Sequence, residues 1–315
     1  MAAIAPEPAP RGTGSTPDMR DRETPAGQDG RAMSQAVPHS AGHAPPRLTV
    51  PEGACDAHLH IIDDRFPGAG PSPGMTLADY RGLQRRLGIS RAVLVQAKHH
   101  RTDPACLLDA LAQLGADGRG VAVLTPEQAT PALLRTLHDA GVRGLRFSLW
   151  NPADQLVTLA MLRPLVQRIA PLGWHAQIHM TGAQIVEAEA VLSNLPCPVV
   201  FDHMARLPVA EGPDHAGFAV VARLLARGDV WVKLSGAYLN TATGAPYADA
   251  GRIARAFLAE APDRMLWGSD WPHVTETARK PDDAQLLDLL ADWAGGAAGA
   301  ARILRDNPAQ LYGFA

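Results

Sequence analysis

Cysteine is scarce: Cys55, Cys106 and Cys197 are the only three in 315 residues. They are widely spaced, odd in number and free of any C-x-x-C. That pattern excludes a disulfide framework and a thiolate zinc site, and it fits buried thiols in a reducing cytoplasm. No stretch is apolar for long enough to cross a bilayer. No continuous apolar core follows the basic residues of the first 50 positions, so a secretory signal is not expected. Charge of one sign is missing too, because 29 Lys and Arg face 32 Asp and Glu for a formal charge of −3. Neither a nucleic-acid binder nor a polybasic membrane protein is expected from that balance. No G-x-G-x-x-G follows the first apolar segment, which leaves dinucleotide binding without support.

A large core can form, since 46% of the residues are hydrophobic. Residues 1–50 differ in kind, with eight prolines, many Gly, Ser and Ala, and no periodic apolar stripe to offset the entropy of ordering. The expectation is a disordered extension over 1–48, or an over-called start with Met33 as an alternative initiator, followed by one domain over 49–315.

In that domain apolar strand patterns alternate with amphipathic helical ones. Segments 54–62, 90–97, 118–124, 142–149, 174–180, 198–204, 229–236 and 264–270 read as strands, rich in aliphatic and β-branched residues. Helical patterns lie between them, as at Leu77 to Leu83, Leu133 to His138 and Phe218 to Leu225. Gly88, Gly141, Gly173 and Gly228 mark returns from helix to strand as left-handed ends. Asp103-Pro104 reads as a helix start. Eight such repeats in about 260 residues have the rhythm of an α/β fold of the (β/α)₈ barrel type.

Two residues apart at the end of the first strand pattern stand His58 and His60, and Asp270 closes the last one. Side chains at i and i+2 share one face of a strand, so both imidazoles point the same way. A closed barrel pairs its eighth strand with its first and brings Asp270 across the seam to them. An open doubly wound sheet shares the alternation, but the polar residues gather at the C-terminal ends of the strand patterns, where barrel enzymes put their chemistry. These are His58, His60, Gln96, Lys98, Arg146, His179, Asp202, His203, Lys233, Ser235 and Asp270. Neutral imidazoles with a carboxylate suit Zn²⁺ or a similar divalent ion.

An ordered series of motifs carries a resemblance: D-A-H-L-H at 56–60, G-V-R-G-L-R-F at 141–147, F-D-H-M-A-R at 201–206, V-K-L-S-G-A-Y at 232–238, G-S-D-W-P-H at 268–273 and N-P-A-Q-L-Y-G-F at 307–314. From about Val50 onward the chain resembles the amidohydrolase superfamily, in the amidohydrolase-2 branch of pyrone dicarboxylate lactonases, sulfomuconolactone hydrolases and galactarolactone isomerases. The resemblance implies a barrel that attacks a carbonyl, often in a lactone ring that carries carboxylates. It implies a metal set of His58, His60, His179 and Asp270 around one ion, Zn²⁺ or Mn²⁺. A metal-free route like that of the pyrone dicarboxylate lactonase stays open. The carboxylated Lys that bridges a second metal on the fourth strand is missing, because 142–147 reads V-R-G-L-R-F.

The expected reaction is attack of water on a strained ester carbonyl. Asp270 takes the water's proton, while a metal held by the histidines, His58 and His60 among them, or the histidines and Arg146 themselves, stabilises the oxyanion; His203 serves as a ligand, an acid or an electrostatic aid to carbonyl polarisation. Arg146 and Arg206 are expected to grip a substrate carboxylate through two parallel hydrogen bonds, with an ion pair to Asp202 as the alternative use. Lys98, in a loop made basic by His99, His100 and Arg101, and Tyr238 complete the expected contacts to a small anionic substrate. Tyr238 and Asn240 serve equally as wall packing. Trp271 and Pro272 shape the turn that presents Asp270, His273 supports it, and His138 and His215 fall on the surface. A lactone isomerase, a metal-dependent decarboxylase and a non-catalytic small-acid binder are the rival functions.

Overall fold

The computed structural model describes residues 36–315. Most of the expected 1–48 extension therefore lies outside the described residues. Eight strands follow one another: β1 (Cys55–Leu59), β2 (Arg91–Val95), β3 (Gly118–Ala122), β4 (Val142–Ser148), β5 (His175–His179), β6 (Val199–Phe201), β7 (Val230–Lys233) and β8 (Met265–Leu266). They pair in parallel and in chain order. The seam is drawn together by three backbone bonds of 2.8 Å, from Ala57 N–H to the Trp267 carbonyl, Asp270 N–H to that of His58 and His60 N–H to that of Trp271. The chain thus forms the expected barrel. Its strands are shorter than the apolar patterns, ending before the polar residues that close several of them.

The helices follow from local chemistry. In Leu77–Leu87, Thr76 and Asp79 form a reciprocal capping box, Leu77, Tyr80, Leu83 and Leu87 bury one face, and Gly88 ends the helix at φ 73°. Asp103 caps the helix at Ala105, accepting its N–H at 2.9 Å. Two residues expected at the surface are half-buried instead. His215 caps a helix by accepting the Gly217 N–H at 2.9 Å, and His138 accepts the Trp174 indole N–H at 3.0 Å. A ring that can accept finds use wherever a buried donor lacks a partner.

Two apolar layers result. Ala92, Leu94, Phe147, Ile178, Phe201 and Val232 pack outward against the helices, while Cys55, Ala57, Val93, Val121, Val200 and Leu266 belong to a second cluster with Tyr312 and Phe314. Each fully buried Leu, Val or Phe contributes about 1.5–3 kcal/mol. One register shift matters for the site. Between Asp56 and Leu59 the pairing of β1 with β2 slips by a bulge. Bulges re-aim the side chains that follow, and here His58 follows.

Residues 36–48, expected in the extension, lie against the barrel. Val37 is buried, the Trp271 indole donates to the Pro38 carbonyl at 2.8 Å, and the Arg86 guanidinium donates to the carbonyls of Ala41 and Ala44 at 2.9 and 3.0 Å. Arg47 pairs with Asp288 at 2.9 Å. These residues belong to the same compact unit as the barrel. Apolar patterning could not reveal this strap, because backbone carbonyls make most of its contacts. No helix among the described residues is long and apolar enough to cross a membrane.

Candidate active site

Contacts between strands that are not neighbours must run through the barrel's interior, and they define the site. Arg146 of β4 donates from Nε to Asp202, just beyond β6, at 3.0 Å. Lys233 of β7 donates to Gln177 of β5 at 2.7 Å and lies 3.2 Å from His58 Nδ1 on β1. Gln177 returns a bond to Asp202 at 3.1 Å. Asp202 and Lys233 have no exposed side-chain surface. This polar layer forms a floor beneath the mouth.

Above the floor the chain's two ends meet as expected. His58 Nε2 and His60 Nε2 are 3.4 Å apart, and each lies 3.5 Å from Asp270 Oδ1. Gly268 makes that approach possible: a Cβ there would stand 2.5 Å from the Cβ of His58. The Ser269 hydroxyl and N–H donate to Asp56 at 2.6 and 2.9 Å, stapling the eighth strand to the first. Asp270 itself sits at φ 63°, a left-handed conformation that Asp tolerates better than most residues and that strained functional sites use. Tyr238 donates to its other oxygen at 2.6 Å, and His273 backs the tyrosine at 3.0 Å while facing Asp283.

His203 completes the group, with Nε2 4.0 Å from Asp270 Oδ1 and Nδ1 3.0 Å from the Ser235 hydroxyl. Four consecutive residues, His203 to Arg206, have positive φ between 44° and 57°. Asn240 holds this turn by donating to the His203 carbonyl at 3.1 Å.

Burial alone would raise both carboxylates, but their cationic and imidazole neighbours overcome it. Asp270, ringed by His203, His60 and His58, and Asp202, between His58, Arg146 and Lys233, are both held well below the usual carboxylate range. Burial pushes His203 down to about 4, and His58 and His179 well below the usual imidazole value, so all three rings are neutral at pH 7. Burial, partly opposed by Asp202, lowers Lys233 to about 8.

His179 stands apart from the expected metal set. Its Nδ1 faces the Arg146 guanidinium at 3.3 Å and the Ser148 hydroxyl at 3.1 Å. A guanidinium only donates, so Nδ1 accepts and the ring proton sits on Nε2, which is buried without a hydrogen-bond partner among the described residues. The ligand atoms close enough for one ion are those of His58, His60 and Asp270, or of His58, Asp202 and His203. The first set has edges of 3.4, 3.5 and 3.5 Å. Tetrahedral coordination with bonds of about 2.1 Å needs edges of about 3.4 Å. A divalent ion fits this face.

The expected substrate contacts divide. Arg146 is committed to Asp202 and His179, the alternative use foreseen for it. Lys98 is paired with Asp154 and half-exposed. Arg206 stacks on Trp150 at 4.6 Å, and among the described residues no carboxylate lies within ion-pair distance of it. Gln177, Lys233 and Ser235 received no role from the sequence, although Lys233 and Ser235 continue one strand face and Gln177 stands two before His179.

Comparison with known proteins fits this geometry. The family model described as Amidohydrolase matches residues 55–314. A 2-pyrone-4,6-dicarboxylate hydrolase of Comamonas testosteroni is 35% identical over 294 residues, spanning 86% of this chain and 94% of its own. A D-galactarolactone isomerase of Agrobacterium fabrum is 31% identical over 288 residues, or 89% of this chain and 97% of its own. An apo crystal structure from Agrobacterium tumefaciens superposes with a TM-score of 0.80 at 28% identity, covering 88% of this chain and 99% of its own.

Proposed function

The chain belongs to the amidohydrolase family, and from that premise we propose that it hydrolyses a lactone whose substituents include a carboxylate or similar anion. One observation carries the reading: an ionised Asp270 with three imidazoles within 4.0 Å of its Oδ1 and a hydroxyl donor on its Oδ2. A carboxylate so held is a ready proton acceptor at neutral pH, and it stands just beyond the C-terminal end of β8.

Water positioned against Asp270 gives up a proton as its oxygen attacks the ring carbonyl. The Nε2 proton of His179 and the imidazole of His203 are the neutral donors available to the oxygen on which charge develops. The tetrahedral intermediate collapses, the ester C–O bond breaks, and Asp270 returns its proton to the departing alkoxide or enolate oxygen. Arg206, stacked on Trp150 and without a carboxylate partner among the described residues, orients the substrate anion; Arg146 keeps His179 in its tautomer. The charged groups in and below the mouth also favour an anion, with Arg146, Lys233 and Arg206 against Asp202 and Asp270.

A divalent ion, Zn²⁺ or Mn²⁺, would be held by His58, His60 and Asp270, and when bound it supplies Lewis-acid polarisation of the carbonyl. Lactones bearing no, one or two carboxylates, offered to the purified protein with the products identified, test the reading. A ring-opened acid from the anionic substrates is expected. An isomeric lactone, carbon dioxide or unchanged ligand would replace hydrolysis by the corresponding rival.

A further inference from the structure

We infer that Lys233 and Asp202 compete for Nδ1 of His58, and so decide whether this ring turns a proton or a lone pair toward the reaction centre. Lys233 is then a positioning residue that weakens metal binding and favours hydrogen-bond donation. The inference rests on the proposed reading only in taking His58 as part of the reaction centre.

Lys233 Nζ lies 3.2 Å from His58 Nδ1, 2.7 Å from Gln177 Oε1 and 3.6 Å from Asp202 Oδ1. An ammonium has donors and no acceptor, so a bond to His58 requires Nδ1 to accept and leaves the ring proton on Nε2. That nitrogen faces His60 Nε2 at 3.4 Å. His60 Nδ1 is 2.8 Å from the Val95 carbonyl, which can only accept, so a neutral His60 carries its proton there and a lone pair on Nε2. The series from Lys233 through His58 and His60 to Val95 is satisfied at every link by protons alone.

The same atoms support a second arrangement. Asp202 Oδ1 is 3.2 Å from His58 Nδ1, and this buried oxygen has no hydrogen-bond partner among the described residues. Arg146 and Gln177 hold its carboxylate in place from Oδ2 at 3.0 and 3.1 Å. If His58 donates from Nδ1 to Asp202, its Nε2 lone pair joins those of His60 and Asp270 on the face that fits an ion. Carboxylate behind an imidazole is the arrangement that strengthens metal ligands; ammonium behind it does the reverse.

The test begins with the unaltered protein, stripped of metal and labelled with ¹⁵N in histidine. Two-bond ¹⁵N–¹H correlation at neutral pH reads the tautomer, with His58 assigned through loss of its signals in His58→Gln. A proton on Nε2 is expected, and a proton on Nδ1 overturns the inference without any Lys233 variant having to fold. In Lys233→Met the proton should move to Nδ1, and Zn²⁺ affinity by equilibrium dialysis should rise about 10–100-fold, the range over which ligand-supporting groups act. Asp202→Asn should lower that affinity. A folded Lys233→Met with Zn²⁺ affinity within twofold of the parent also overturns it. Failure of every lactone to react would strike the proposed function and leave these readouts standing.

Discussion

Tyr238 donates its hydroxyl proton to Oδ2 of Asp270 across 2.6 Å, leaving Oδ1 to face the imidazoles. A donor to the ionised form holds a carboxylate's pKa down. Removing it in Tyr238→Phe raises the pKa of Asp270 from its depressed position, so the base is neutralised at a higher pH. The expected result is an acid limb of kcat/KM displaced upward in the variant, relative to a parent whose Asp270 is held well below the usual carboxylate range. Parallel pH profiles of the two enzymes check this. Coincident limbs would remove Tyr238 from control of the base.

Asp270→Asn keeps the side chain's shape but removes its capacity to accept a proton. Turnover should fall by about 10²–10⁴-fold, the range of a lost general base, with little change in melting temperature. Single-turnover assays and thermal unfolding on the same preparation separate chemistry from folding. A variant that turns over within twofold of the parent would exclude Asp270 as the base.

Strand order and the meeting of His58, His60 and Asp270 were readable because side-chain alternation and barrel closure are strong geometric constraints. The floor of Gln177, Asp202 and Lys233 was harder to read, since a buried charge cluster is specified by contacts among β5, β6 and β7 rather than by any local pattern. His179 illustrates the same limit. Its place at the end of β5 agrees with a ligand, and only the neighbouring Arg146 reveals that Nδ1 is already engaged. The strap over 36–48 escaped for the opposite reason, being rich in proline and poor in apolar side chains, with carbonyls as its main anchors.

That strap carries a prediction about stability. A chain beginning at residue 49 loses the buried Val37, the acceptor for the Trp271 indole and two acceptors for the Arg86 guanidinium, whose side chain is 1% exposed. At about 1 kcal/mol per lost hydrogen bond and about 1.5 kcal/mol for the valine, roughly 4–5 kcal/mol should be lost relative to a chain beginning at residue 36. Denaturant unfolding of the two truncated proteins measures the difference. Equal midpoints and slopes would mean that the strap contributes nothing to the fold.

Metal stoichiometry distinguishes the three-residue face from the four-residue set that the resemblance implies. His58, His60 and Asp270 present ligand atoms at tetrahedral spacing, whereas Nδ1 of His179 accepts from Arg146 and its Nε2 bears a proton. Protein dialysed against excess Zn²⁺ and then against buffer should retain about one ion per chain, because no bridging Lys is present on β4 to support a second. His60→Ala should lose that ion, and His179→Ala should keep it while turnover falls through loss of a donor to the oxyanion. Elemental analysis beside an activity assay reads both quantities. Loss of the ion in His179→Ala would return this histidine to the coordination sphere and require Arg146 to release it when metal binds.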